Sequence, residues 1–136
     1  MSQHARLLRI AFAIGAITDA LALGPMLSPA LARLMWGFED QSVTYRYAMG
    51  YGAALMLGWT LLLLWAYQRP IERKVVALLT NAVIVGLIAA EVNAVLGGAV
   101  AIERMVPTWV LQAVLLTLFA AAYHYQPGRA SVATPA

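Results

Sequence analysis

The sequence predicts an all-α fold: a bundle of four transmembrane helices with a short amphipathic interfacial helix in the first loop. Three observations predict it. Of the 136 residues, 62% are hydrophobic and 11% charged, whereas a soluble domain carries about 25% charged residues. The apolar residues run on continuously instead of alternating, in four segments that approach the roughly 20 residues needed to cross a hydrocarbon core. Between the segments stand the glycine, proline and charged residues that punctuate helix ends.

The first span covers residues 7–23 and is expected to stop at Gly24-Pro25. Arg6 and Arg9 ahead of it, and a small-x-small site at Ala30-Leu31-Ala32 beyond it, resemble a cleavable leader. Asp19 interrupts the apolar run, so the segment is read as a retained span. The loop that follows, "SPALARLMWGF", has its own signals. Ser28 suits a helix cap, Pro29 the first helical position and Gly37 the stop. Leu31, Leu34, Met35 and Phe38 recur at helical spacing, which predicts an amphipathic helix over 29–36 lying in the membrane interface.

The second span covers 45–67, before Gln68-Arg69-Pro70, and the third covers 75–96, ending at Gly97-Gly98. The fourth covers 108–125, with Pro107 at its start and Pro127-Gly128 past its end. Residues 1–126 thus form one transmembrane domain, and the polar tail 127–136 is expected to be a disordered cytoplasmic extension. "GYGAALMLG" in the second span places Gly50, Ala54 and Gly58 four apart, a pattern that suits close helix contact.

Basic residues give the orientation. Arg6, Arg9, Arg69, Arg73, Lys74 and Arg129 lie on one side; Arg33, Arg46 and Arg104 lie on the other with Glu39, Asp40 and Glu103. Lys and Arg favour the cytoplasmic side, which predicts that both termini are cytoplasmic. The net charge of +3 is therefore a topology signal and gives no nucleic-acid footprint. The chain has no cysteine, hence no disulfide, thiolate metal site or thiol nucleophile. No metal site is predicted: His124 would need a second ligand at its level, and the only other histidine, His4, is near the N-terminus. The terminal aromatics, among them Trp36, Tyr45, Trp65, Tyr67, Trp109 and Tyr123, read as interfacial belts.

Against this background the stretch "VGLIAAEVNAVLGG" (85–98) places one glutamate among apolar and small residues. An ionisable group at such a position is costly and marks a candidate site. Measured from the predicted helix ends, Asp19, Glu91 and Gln112 each lie roughly 8–9 Å deep on the outer side. Arg46 opens the second span from that side, and Asn93 adds a polar group near the same level. At about 100° per residue, Glu91 shares a stripe with Ala77, Thr80, Ile84, Leu87 and Gly98; Asp19 shares one with Leu8, Phe12 and Gly15; Arg46 shares one with Ala53, Leu57 and Leu64. The expectation is that Asp19, Arg46 and Glu91 converge in the bundle interior. One acid of the two would be left protonated, hydrated or hydrogen-bonded to Asn93 or Gln112. A purely structural Arg–acid contact that fixes helix register explains the same residues equally well. Thr80, Asn81 and Thr117 read as interhelical hydrogen-bonding groups.

The segment "YRYAMGYGAALMLGWTLLLLWAYQRPIERK" (45–74) resembles one found in small prokaryotic four-helix membrane proteins of unassigned function. In outline these are similar to the DoxX-like proteins, some of which are membrane subunits linked to quinone redox chemistry. The resemblance implies the four-span plan. It carries over no catalytic residue, and the cofactor stays unknown.

The leading functional expectation is a non-catalytic inner-membrane protein that binds a small or lipid-like ligand, or a partner subunit, through Asp19, Arg46, Glu91, Asn93 and Gln112. Membrane lipid is the expected partner, together with a homo-oligomer or partner membrane subunit. The runner-up is a dimeric proton-coupled transporter, since small multidrug transporters are also four-helix proteins with a membrane carboxylate. A third reading is a membrane subunit of a quinone- or lipid-linked enzyme, with Asp19 or Glu91 as general acid or base.

Overall fold

The structure is a computed structural model that describes residues 2–39 and 42–125; the expectation for the tail 127–136 lies outside the described residues. Five helices follow one another: α1 (Gln3–Leu27), α2 (Pro29–Trp36), α3 (Val43–Gln68), α4 (Val75–Leu96) and α5 (Ile102–His124). All but α2 are long and apolar enough to cross a membrane, so the chain is a multi-pass membrane protein with both described ends on one side. That side, which also holds the 69–74 turn, is called the termini side below; the side holding α2 is the loop side.

Caps set several of these boundaries. Ser2 accepts from the Ala5 amide at 3.2 Å to start α1, and Ser42 accepts from the Tyr45 amide at 3.1 Å to start α3. The α2 helix has the predicted limits, with Ser28 as cap, Pro29 in the first turn and Gly37 left-handed at φ 76°. The α4 helix closes on the predicted glycines: Gly98 is left-handed at φ 73°, and the Gly98 and Ala99 amides donate back to Val95 and Ala94 carbonyls, a Schellman closure.

Two predicted stops are overturned. Helix α1 does not end at Gly24-Pro25 but carries Pro25 inside it and ends at Leu27. Helix α5 does not begin at Pro107 but starts at Ile102 and runs through that proline. Each proline removes one helical hydrogen bond near a helix end, and in an apolar environment the remaining backbone groups still need helical partners. Pro25 is buried, and Met105 in the α5 extension is 4% exposed, so tertiary packing holds both extra turns.

Helix α1 is the centre of the bundle. It packs along α3 and against α5, while α4 packs mainly on α5 and touches α1 and α3 only slightly. The helices thus run α3–α1–α5–α4, with three firm seams and one loose one between α4 and the α1–α3 pair. The core is concentrated toward the termini side. Leu8 and Phe12 of α1, Leu63 of α3 and Phe119 of α5 are fully buried there, with the two phenylalanine rings 6.1 Å apart. Gly15 lets α1 approach: a Cβ at that position would lie 2.7 Å from Phe119 Cζ and 3.2 Å from Leu63 Cδ1. Among lipids no hydrophobic force separates protein from solvent, and such close packing is what joins helices.

The small-residue seam expected of Gly50, Ala54 and Gly58 is not used within the chain. Ala54 is exposed and nothing lies within 4 Å of a Cβ built on Gly50 or Gly58. The α1–α3 contact instead uses the face of Ala53, which is 4% exposed. The threonines are likewise not interhelical groups. Thr60, Thr80 and Thr117 each donate to the carbonyl four residues earlier, at 2.8–2.9 Å.

On the termini side the aromatic belt pairs with the basic residues. The Arg73 guanidinium lies 3.7 Å from the Trp65 ring centroid and also donates to the Trp65 carbonyl; Arg9 and Lys74 lie 5.6 Å from the rings of Tyr67 and Tyr123. On the loop side α2 shows Leu31, Leu34 and Met35 outward and packs through Ala32, which is 1% exposed. Arg104 of α5 reaches across to donate to the Arg33 and Leu34 carbonyls at 3.3 and 3.2 Å. It thereby places a positive charge at the carbonyl end of α2. Gly37 makes room for it, since a Cβ there would meet Arg104 Nε at 3.0 Å. Gly37→Ala is therefore expected to cost about 1–2 kcal/mol, from the left-handed backbone, and to release α2. Hydrogen exchange of the α2 amides should accelerate in the variant; unchanged protection would show that the Arg104 contact does not need the space Gly37 leaves.

Candidate functional site

Glu91 and Gln112 meet between α4 and α5. Gln112 Nε2 donates to Glu91 Oε1 at 2.9 Å. Each residue reaches this point on the inward stripe of its helix. In α4 the stripe runs Ala77, Thr80 and Ile84, exposed by 0%, 4% and 5%, and then the half-buried Glu91. In α5 it runs Phe119, Leu115 and then Gln112, still only 6% exposed. The pair therefore continues the core toward the loop side, where the loose α4 seam leaves Glu91 partly uncovered.

The pairing leaves the site rich in unsatisfied acceptors. Glu91 Oε2 and Gln112 Oε1 are both buried without a hydrogen-bond partner. Trp109, one turn before Gln112, directs its indole at the same carboxyl, yet its buried Nε1 completes no hydrogen bond of good geometry. Buried polar groups are nearly always satisfied, and those that are not call for an explanation. Three such atoms around one carboxyl, two accepting and one donating, form a short polar patch in an apolar wall.

The predicted convergence of three charged groups does not occur. Arg46 is exposed, and it makes no salt bridge with Asp19 or Glu91 among the described residues. Its stripe is not bundle-facing either: Ala53 is buried, but Leu57 and Leu64 are 48% and 47% exposed. Arg46 instead lines a cavity on the loop side with Pro25, Met26 and Pro29. Asp19 follows Leu8, Phe12 and Gly15 on the inward stripe of α1, as expected, and is half-buried. It has no hydrogen bond or ion pair among the described residues. Asn93 is exposed, and its backbone carbonyl accepts the Gly97 amide that closes α4.

Glu91 and Gln112 do share a level, as their hydrogen bond requires, although α5 begins earlier than the Pro107 from which the depth of Gln112 is measured. Gln112 lies ten residues into α5 and Glu91 five from the end of α4, about 15 and 8 Å at 1.5 Å per residue. The start of α5 thus runs further past the Glu91–Gln112 level than the end of α4 does, and Arg104 lies in that extension.

Two residues of this region were read otherwise from sequence. Trp109 was assigned to the aromatic belt, although its spacing of three from Gln112 already put both on one helical face. Arg104 counted only as a loop charge, because its helix was expected to begin later. His4 is no loose end: it lies within α1, with Nε2 3.1 Å from the Ala122 carbonyl and its ring 5.8 Å from Tyr125. Among the described residues no group of three or more metal-ligating side chains forms. Comparison with known protein families, curated proteins and solved structures finds no match to this chain.

Proposed function

We propose that this small multi-pass membrane protein is non-catalytic and binds a small ligand bearing an O–H or N–H group against Glu91, Gln112 and Trp109. The single observation that carries this is the pair of buried acceptors, Glu91 Oε2 and Gln112 Oε1, left without donors at one point of the wall. A ligand hydroxyl can donate to one of them and accept from the Trp109 indole, and a neutral primary amine can donate to both. Its apolar body would lie along the partly uncovered α4 seam, as in pockets that combine an apolar lining with a few convergent polar groups. Native mass spectrometry of the purified protein tests this. Wild type is expected to retain a small-molecule adduct that the Glu91→Leu/Gln112→Leu double variant lacks. An adduct retained equally by both sinks the reading.

A second reading, proton-coupled transport, is favoured by Asp19, a half-buried carboxyl on an inward stripe with no ion-pair partner among the described residues. Intramembrane carboxyls of this kind mark proton relays. In liposomes, substrate-driven proton flux that Asp19→Asn abolishes would select this reading over simple binding.

The basic bias supports a topology with both termini in the cytoplasm, and the resemblance of residues 45–74 to small prokaryotic membrane proteins supports an inner-membrane location. Reporter fusions after Tyr125 and within residues 68–74 are expected to read cytoplasmic; an external reading at either reverses the assignment.

A further inference from the structure

On the loop side, a cavity of about 110 Å³ opens where the end of α1, the start of α2 and the first turns of α3 meet. Its wall is largely apolar, built from Pro25, Met26, Leu27, Pro29 and Met49 with Tyr45 beside them, and Arg46 is the only charged side chain among the described residues that line it. Arg46 is exposed and makes no ion pair among the described residues. No acidic residue stands in the first turn of α3, and that turn is the positive end of a helix dipole. Glu39 lines the neighbouring cavity beyond Tyr45 and Met49, not this one. Three residues into α3, Arg46 lies about 5 Å below the helix start, at headgroup level. A lone guanidinium over an apolar groove at that level is complementary to one chemistry: a phosphate with hydrocarbon attached.

We infer that the α1–α2–α3 corner is a binding site for an anionic phospholipid, with the phosphate forked on Arg46 and the proximal acyl chain along Met26, Pro29 and Met49. Guanidinium binds phosphate oxygens through two parallel N–H donors, which lysine's point charge cannot reproduce. This site lies apart from Glu91 and Gln112 and does not depend on the function proposed for them.

Delipidated protein in detergent, titrated with phosphatidylglycerol and followed by native mass spectrometry and thermal unfolding, tests the inference. The basic termini side also attracts anionic lipid, so the readout is the number of bound lipids. Wild type is expected to hold one more tightly bound phosphatidylglycerol than Arg46→Gln, whose affinity at this site falls at least tenfold; Arg46→Lys should fall between. Without lipid, Arg46→Gln should unfold at the wild-type temperature, because the side chain is exposed and makes no ion pair. Equal lipid counts in wild type and Arg46→Gln overturn the proposal. So does phosphatidylcholine bound as tightly as phosphatidylglycerol, which would make the groove blind to net charge. Displacement of the lipid by millimolar inorganic phosphate would also overturn it, assigning the site to the free anion.

Discussion

Replacing Gln112 by leucine is expected to destabilise the protein by about 2–3 kcal/mol, because it removes a hydrogen bond to a carboxyl and strands a buried polar group. Gln112 is 6% exposed and supplies the one good hydrogen bond to Glu91. Leucine fills nearly the same volume, so little of the loss comes from a cavity. The partner change is the control. Glu91→Gln keeps an acceptor for Gln112 and should cost far less, and Glu91→Leu added to Gln112→Leu should recover much of the loss. Thermal unfolding of the three variants in one detergent decides. A Gln112→Leu protein that melts with wild type would show that Glu91 is held by some other group, and the site would have to be redrawn.

A leucine at Gly15 is expected to cost about 3 kcal/mol, the upper end for overpacking a core. The first added carbon alone would stand 2.7 Å from the Phe119 ring, and neither side can yield. Phe119 and Leu63 are fully buried, and Gly15 is fixed in the middle of α1. Gly15→Ala should be milder, and Phe119→Leu in the same chain should relieve it. If Gly15→Leu unfolds at the wild-type temperature, α1 and α5 are not in contact at this level. By contrast Gly50→Leu and Gly58→Leu meet open space, and both should leave the isolated chain as stable as wild type.

The limits of α2 and α4 were legible because their caps are chemical. Serine, proline and glycine at 28, 29 and 37, and the glycine pair at 97 and 98, have conformational preferences that hold in water or lipid. The ends of α1 and α5 were not, because Pro25 and Pro107 act as stops only where water can take over the released backbone groups. The depths of Asp19 and Gln112 inherit that error, because they are measured from those stops, whereas the depth of Glu91 is measured from the Gly97 end that α4 keeps. Glu91 and Gln112 could still be found, as each continues an inward stripe. The placing of Arg46 could not. Its stripe neighbours Leu57 and Leu64 are as apolar toward lipid as toward a core, so inside a membrane periodicity identifies a face without saying what it faces.

The seams have a consequence for how the chain enters the bilayer. Both firm outer pairings, α1 with α3 and α4 with α5, join consecutive spanning helices. Biogenesis can therefore proceed as two helical hairpins delivered in turn by the translocation machinery, with the α1–α5 contact made last. Glu91 and Gln112 belong to the same hairpin. A carboxyl that would enter hydrocarbon alone at a cost of about 3 kcal/mol meets its amide as the two helices partition together. Asp19 has no such companion in the first hairpin among the described residues, so it enters hydrocarbon without a hydrogen-bonding partner of its own.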